Sequence, residues 1–176
     1  MRFSISRIIA TLILAIGLSG PAMAGPFQDG VEAYTRGDYR SALIYWQPLA
    51  DQGDPGAQRR IGSMYETGQG VKQDYAAALK WYRLAADQGD SRAQASLGLM
   101  YRDGHGLPQD NIQAYKWSHI AARAGLPIAA EARDELARRM DAAQIDVAQK
   151  QAIAWKPAPV SWWASVKRML GLASAE

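Results

Sequence analysis

A block of this sequence recurs at an offset of 36 residues, and a chain that repeats itself at such a period has few folds open to it. Ala57-Gln58-Arg59-Arg60-Ile61-Gly62-Ser63-Met64-Tyr65 returns as Ala93-Gln94-Ala95-Ser96-Leu97-Gly98-Leu99-Met100-Tyr101. The match then runs on without a gap. Gly68 pairs with Gly104, Gly70 with Gly106, Asp74 with Asp110, Ala78 with Ala114, Trp81 with Trp117 and Gly89 with Gly125. Such units bury their apolar faces by stacking on their neighbours, which points to a solenoid.

The chemistry of one unit identifies its elements. Ala57, Ile61, Met64 and Tyr65 fall on one face of an α-helix. Gly62 costs about 1 kcal/mol of helix propensity, so its recurrence as Gly98 marks a close approach of another helix. The helix is expected to end at Gly68, where the Gly-x-Gly pair tolerates positive φ. Asp74 and Asp110 are placed to cap a second helix carrying Ala78, Trp81, Tyr82, Ala85 and Ala86, which Gly89 stops. The expected fold is therefore all-α, an α/α superhelical solenoid of antiparallel helix pairs.

The ends of the array depart from the repeat. Residues 27–56 keep the second-helix pattern in Asp38, Ala42, Trp46 and Asp51-Gln52-Gly53-Asp54, but their loop is about five residues shorter. The full units are 57–92 and 93–128. Residues 129–155 are expected to form a capping helix pair, Ala129 to Met140 and then a helix capped by Asp141 that runs to about Trp155. There Asp134 and Ala137 replace the repeated Gly and Tyr. A stiff linker follows at 156–160, with Pro157 and Pro159. Residues 161–176 carry Trp162, Trp163, Val166, Met169 and Leu170 at helical spacing, beside Lys167 and Arg168.

The first 24 residues stand apart from the array. Arg2 and Arg7 precede an uncharged apolar run from Ile8 to Leu18, then Pro21 and Ala22-Met23-Ala24. That order is a secretory signal peptide with cleavage expected after Ala24, which places the protein in the periplasm; the competing reading is a retained membrane anchor. The apolar run is shorter than the ~20 residues that span a bilayer. Cleavage would remove Arg2 and Arg7 from the 20 Lys and Arg of the whole chain, leaving 18 against 17 Asp and Glu. A nearly neutral exported protein is a poor match for nucleic acid. With no cysteine in the chain, disulfides and thiolate metal sites are excluded.

The unit Ala-x3-Leu/Ile-Gly-x-Met-Tyr-x2-Gly-x-Gly-x3-Asp-x3-Ala-x2-Trp-x3-Ala-Ala-x2-Gly resembles the Sel1-like repeat, a relative of the tetratricopeptide repeat. The resemblance is close over 57–128 and looser over 27–56 and 129–155. It implies an interaction scaffold without shared catalytic residues, and for exported bacterial members an adaptor role in the cell envelope. Cys-rich members with disulfides are also known, and this chain departs from them.

The remaining residues offer little chemistry. His105 lies in a Gly-His-Gly loop where the preceding unit has Gln69, and His119 takes the Arg83 position on a second helix, where it is expected to be solvated. Neither has metal-ligand spacing to the other. Gly68-x-Gly70 and Gly104-x-Gly106 lack the third glycine and the Gly-Lys-Ser/Thr of a phosphate loop. Tyr65, Tyr101, Trp81 and Trp117 read as core. No catalytic residue, cofactor or metal is expected. Partner contacts are expected from the non-core positions of the first helices, on the concave face: Arg59, Arg60, Ser63 and Glu66 in one unit, and Ser96, Leu99 and Arg102 in the next. Trp162 and Trp163 are the further candidates, to cap the array, to lie on a membrane surface or to dock on a partner. The function expected is a non-catalytic adaptor that holds a protein or peptide. The alternatives are a peripheral membrane protein anchored by the Trp-rich tail and, more remotely, an envelope hydrolase.

Overall fold

The computed structural model describes residues 25–158, and those residues form eight α-helices and no strand. They are α1 Pro26–Thr35, α2 Tyr39–Asp51, α3 Pro55–Thr67, α4 Tyr75–Asp87, α5 Ser91–Asp103, α6 Asn111–Arg123, α7 Pro127–Ala137 and α8 Ala142–Ala154. Helices α1 to α6 make three antiparallel pairs, each packed on the next, so the all-α solenoid expected from the repeat is the observed architecture. Residues 1–24, where a signal peptide is expected, and the tail 161–176, with Trp162 and Trp163, lie outside the described residues.

Helix boundaries follow the repeated polar residues. Asp74 and Asp110 each accept the amide of the third residue onward, Ala77 and Gln113, while Asp54 and Asp90 do the same for α3 and α5. Gly68 and Gly104 close α3 and α5 in the left-handed region, at φ 74° and 72°. Asp141 and Gln144 form a reciprocal capping box at the start of α8.

Within each pair a glycine lets the helices meet. A Cβ on Gly62 would stand 2.8 Å from the Tyr82 ring, and one on Gly98 would stand 2.6 Å from Ser118 Oγ. The first unit has the same device, unnoticed at sequence level, because Gly30 lies under Trp46. Gly30 precedes Trp46 by 16 residues where Gly62 precedes Tyr82 by 20, so the first loop is four residues shorter and hides the alignment.

The Gly-x-Gly loops do more than turn the chain. A Cβ on Gly70 would strike Tyr39, and one on Gly106 would come within 2.8 Å of the Tyr75 backbone, so each loop rests on the second helix of the preceding unit. The middle residue takes part: Gln69 donates to the Tyr39 hydroxyl and His105 stacks on Tyr75 at 4.6 Å.

The last two helices do not repeat the paired arrangement. Helix α8 packs against α6, as α7 does, and α7 and α8 have little contact with each other. Asp134 stands where Gly62 and Gly98 stand earlier, so α7 lacks the notch that a crossing partner needs. The chain leaves α8 as a strap: Trp155 meets Trp117 edge-on at 6.0 Å, and the Ala158 amide donates to the Asp87 carbonyl. The strap leaves Trp117 fully buried, while its repeat mate Trp81 is only partly so. His119 is also not solvated as expected; it stacks on Tyr115, and burial, with Arg133 and Arg123 nearby, holds its pKa below the usual 6.5.

Candidate binding groove

Three grooves lie between successive first helices, α1 with α3, α3 with α5 and α5 with α7, and the residue at one repeat position decides whether each is filled. That position is Trp46, Tyr82 and Ser118, at a constant spacing of 36.

In the first groove the Trp46 ring is fully buried, and its indole N–H donates to the Phe27 carbonyl at 3.1 Å. Arg60 of α3 lies over it, 5.5 Å from the ring centroid. Burial, with Arg59 close by, lowers the Arg60 pKa.

In the second groove Tyr82 is the plug. Its hydroxyl donates to Glu66 Oε2 at 2.6 Å, and the Ser63 and Ser96 side chains are also near the phenol. Burial, reinforced by the Glu66 carboxylate, raises the Tyr82 pKa well above 10. Arg59 of α3 reaches Asp90, the cap of α5, at 3.2 Å, with the two side chains 18% and 17% exposed. This clasp closes the groove.

The third groove is open. It encloses about 430 Å³ between α5 and α7, with Ala95, Leu99, Ser118, Ile128 and Ala132 among its walls. The closing devices of the second groove are missing here, lost either in size or in charge. Ser118 stands for Tyr82, Ala95 for Arg59, and Leu126 for the Asp90 cap. Charges sit at the rim. Arg102 pairs with Asp103 at 2.7 Å and reaches across to Glu135 of α7 at 4.0 Å. The Arg102 hydrogen bond holds the Asp103 carboxyl below its ordinary value. Glu131 and Arg138 complete the rim.

The residues expected to contact a partner thus divide. Arg59, Arg60, Ser63, Glu66 and Ser96 lie around two buried aromatic plugs: Arg60 over Trp46, Glu66 accepting from Tyr82, and Arg59 paired with Asp90. Leu99 and Arg102 line the open groove. Sequence reading missed Ser118 and the α7 residues, although the Trp46, Tyr82, Ser118 series was there to be read. Its size trend gains meaning only once the position is known to lie between first helices.

The groove is built for shape and charge recognition, with an apolar floor and a mixed-charge rim. Among the described residues, no group of three His, Asp or Glu side chains is placed to hold a metal ion, and no helix is long and apolar enough to cross a membrane.

Comparison with known proteins agrees with this architecture. The sequence model of the Sel1 repeat matches three consecutive segments, residues 23–54, 55–90 and 91–126. Among solved structures, the chain is similar to c5321, a protective antigen present in uropathogenic Escherichia coli strains displaying an SLR fold. That match has 28% identity and a TM-score of 0.70, over 84% of this chain and 32% of that one. It is also similar to a Sel1 repeat protein from Oxalobacter formigenes, with 28% identity and a TM-score of 0.62, over 76% of this chain and 55% of that one. The chain therefore spans about a third and about half of the lengths of these two proteins. A search of curated proteins gave no significant match. Sel1 repeat proteins generally mediate protein–protein interactions and are typically non-catalytic scaffolds. With three repeats covering more than half of its length, the chain belongs to the Sel1 repeat family.

Proposed function

We propose that this protein is an exported, non-catalytic adaptor of the bacterial cell envelope that holds a partner polypeptide in the groove between α5 and α7. The observation that carries this reading is the open third groove, walled by Leu99 and rimmed by Arg102, in an array whose other two grooves are filled by its own side chains. A surface with an apolar floor, an accessible hydrophobe and a charged rim is the usual anatomy of a recognition site. The envelope assignment rests on the basic, apolar and small-residue order of residues 1–24.

Cross-linking in live cells, followed by identification of what co-purifies from periplasmic and membrane fractions, tests both parts. A specific protein captured by the wild type and lost in Leu99→Glu and Arg102→Glu is the expected result. Arg60 is a poor site for such a variant, because its side chain packs on Trp46. Recovery of the protein only in the cytosol would overturn the envelope assignment. Equal capture by wild type and both variants would overturn the groove.

A further inference from the structure

We propose that the α5–α7 groove receives a single tryptophan or tyrosine side chain of the partner polypeptide, in the place that Trp46 and Tyr82 fill within the first two units. This rests on the adaptor reading and specifies the chemistry of its ligand.

The argument is internal to the array. One repeat position carries the side chain that fills the space between successive first helices, and it is aromatic twice. Both aromatics lie on a helical glycine, Gly30 or Gly62, and the third unit keeps its glycine as Gly98. At Gly98 the notch is met by the Ser118 hydroxyl at 2.6 Å and the Ser118 backbone at 3.2 Å, and the space without a ring lies beside it, between α5 and α7. Ser118 occupies the position, and a volume of about 430 Å³ is left, within the roughly 300–1,000 Å³ of sites that take small ligands.

The wall chemistry has shifted to suit an incoming group. Ser63 and Ser96, which lie near the Tyr82 phenol, correspond to Leu99 and Ala132, so the third groove offers apolar contact where the second offers hydroxyls. The clasp that shuts the second groove is replaced by Ala95 and Leu126, which leaves an entrance. At the rim, Glu131 is in no ion pair among the described residues and is free to accept from an indole N–H or a phenol O–H. That acceptor favours tryptophan and tyrosine over phenylalanine. Both are the anchors that most often carry binding energy at protein interfaces.

The test uses protein produced from the full chain, with amide NMR shifts as the readout and N-acetyl-tryptophanamide as the probe. The expected result is saturable shifts at Leu99, Ser118 and Ala132 with N-acetyl-tryptophanamide and at least tenfold weaker binding of N-acetyl-leucinamide. Ser118→Tyr installs the plug of the second unit and is expected to weaken the probe at least tenfold. Because α5 and α6 approach closely at Gly98, Ala132→Leu serves as a second filling variant from the α7 side, and thermal melts check that both fold. Absence of saturable shifts in the wild type, or unchanged binding in the folded filling variants, overturns the proposal. If Trp162→Ala/Trp163→Ala moves the same resonances without probe, the chain's own tail fills the groove and the proposal is overturned in favour of an intramolecular occupant. Partner capture separates the two levels. A partner kept by Ser118→Tyr but lost by Leu99→Glu overturns the aromatic occupant and leaves the adaptor reading standing. No partner at all overturns both.

Discussion

Two glycines show how the same backbone requirement can carry different consequences. Gly37 and Gly106 both sit at positive φ, 81° and 76°. An added Cβ meets nothing within 4 Å at Gly37, but comes within 2.8 Å of the Tyr75 backbone at Gly106. Gly37→Ala is therefore expected to cost only the left-handed penalty, about 1–2 kcal/mol. Gly106→Ala adds a clash with backbone, which cannot rotate away, and is expected to cost about 3 kcal/mol or more. Urea unfolding of the two variants checks the ranking. His119 gives a second test at this scale. Its folded pKa lies below the unfolded value of 6.5 because of burial and two arginines, so as pH falls through 6.5 the unfolded chain takes up a proton that the folded chain refuses. Stability is expected to fall on acidification from pH 6.5 downward, toward the depressed folded pKa. His119→Gln is expected to flatten that part of the profile, measured as melting temperature against pH. A slope unchanged in the variant would assign the loss to other groups.

At the scale of elements, the helices were legible wherever a repeated residue has one local job. Asp74, Asp110 and Asp141 cap their helices as their sequence positions imply, and Gly68 and Gly104 terminate theirs in the left-handed region. What one sequence did not display was any feature defined by two units at once. The rest of Gly70 on Tyr39, the clasp from Arg59 to Asp90 and the strap over Trp117 each join residues that no local period connects. The open groove belongs to the same class, since Ser118 is unremarkable until its neighbours across two first helices are known. Asp90 exposes the difference between local and inter-unit roles. It caps α5 through the Ala93 amide and also holds Arg59 of the preceding unit, whereas Asp74 is an exposed cap alone. Asp74→Ala is expected to cost about 1 kcal/mol. Asp90→Ala is expected to cost about 2 kcal/mol, because a partly buried guanidinium also loses its carboxylate. A double-mutant cycle with Arg59→Ala isolates the second contribution, and additive effects would show that the clasp is energetically idle.

The described residues form a one-dimensional stack, and its stability is expected to be distributed accordingly. The apolar clusters follow the chain: one holds Trp46, Ile61 and Met64, the next Tyr82, Leu97 and Trp117, and the last Tyr115, Leu136 and Ala148. Helix α8 is the only described element that covers the outer side of α6, through Ala148 and through Gln149 and Gln151, which bond Tyr115 and Gln113. In a compact domain, damage at α8 would lower protection everywhere. In a stack with nearest-neighbour interfaces it should stay near the end where it occurs. Ala148 is fully buried, so Ala148→Asp places an unpaired carboxylate in the last cluster, at a cost of about 3 kcal/mol or more. Amide hydrogen exchange is expected to lose protection in α6, α7 and α8 while α1 to α3 keep theirs, with α4 and α5 in between. Because α5 and α7 form the two walls of the open groove, the same variant is expected to lose partner binding while half of the array remains folded. Uniform loss of protection from α1 to α8 would instead show that the clusters fold as one cooperative unit, and that the groove is held by the entire array rather than by its C-terminal half.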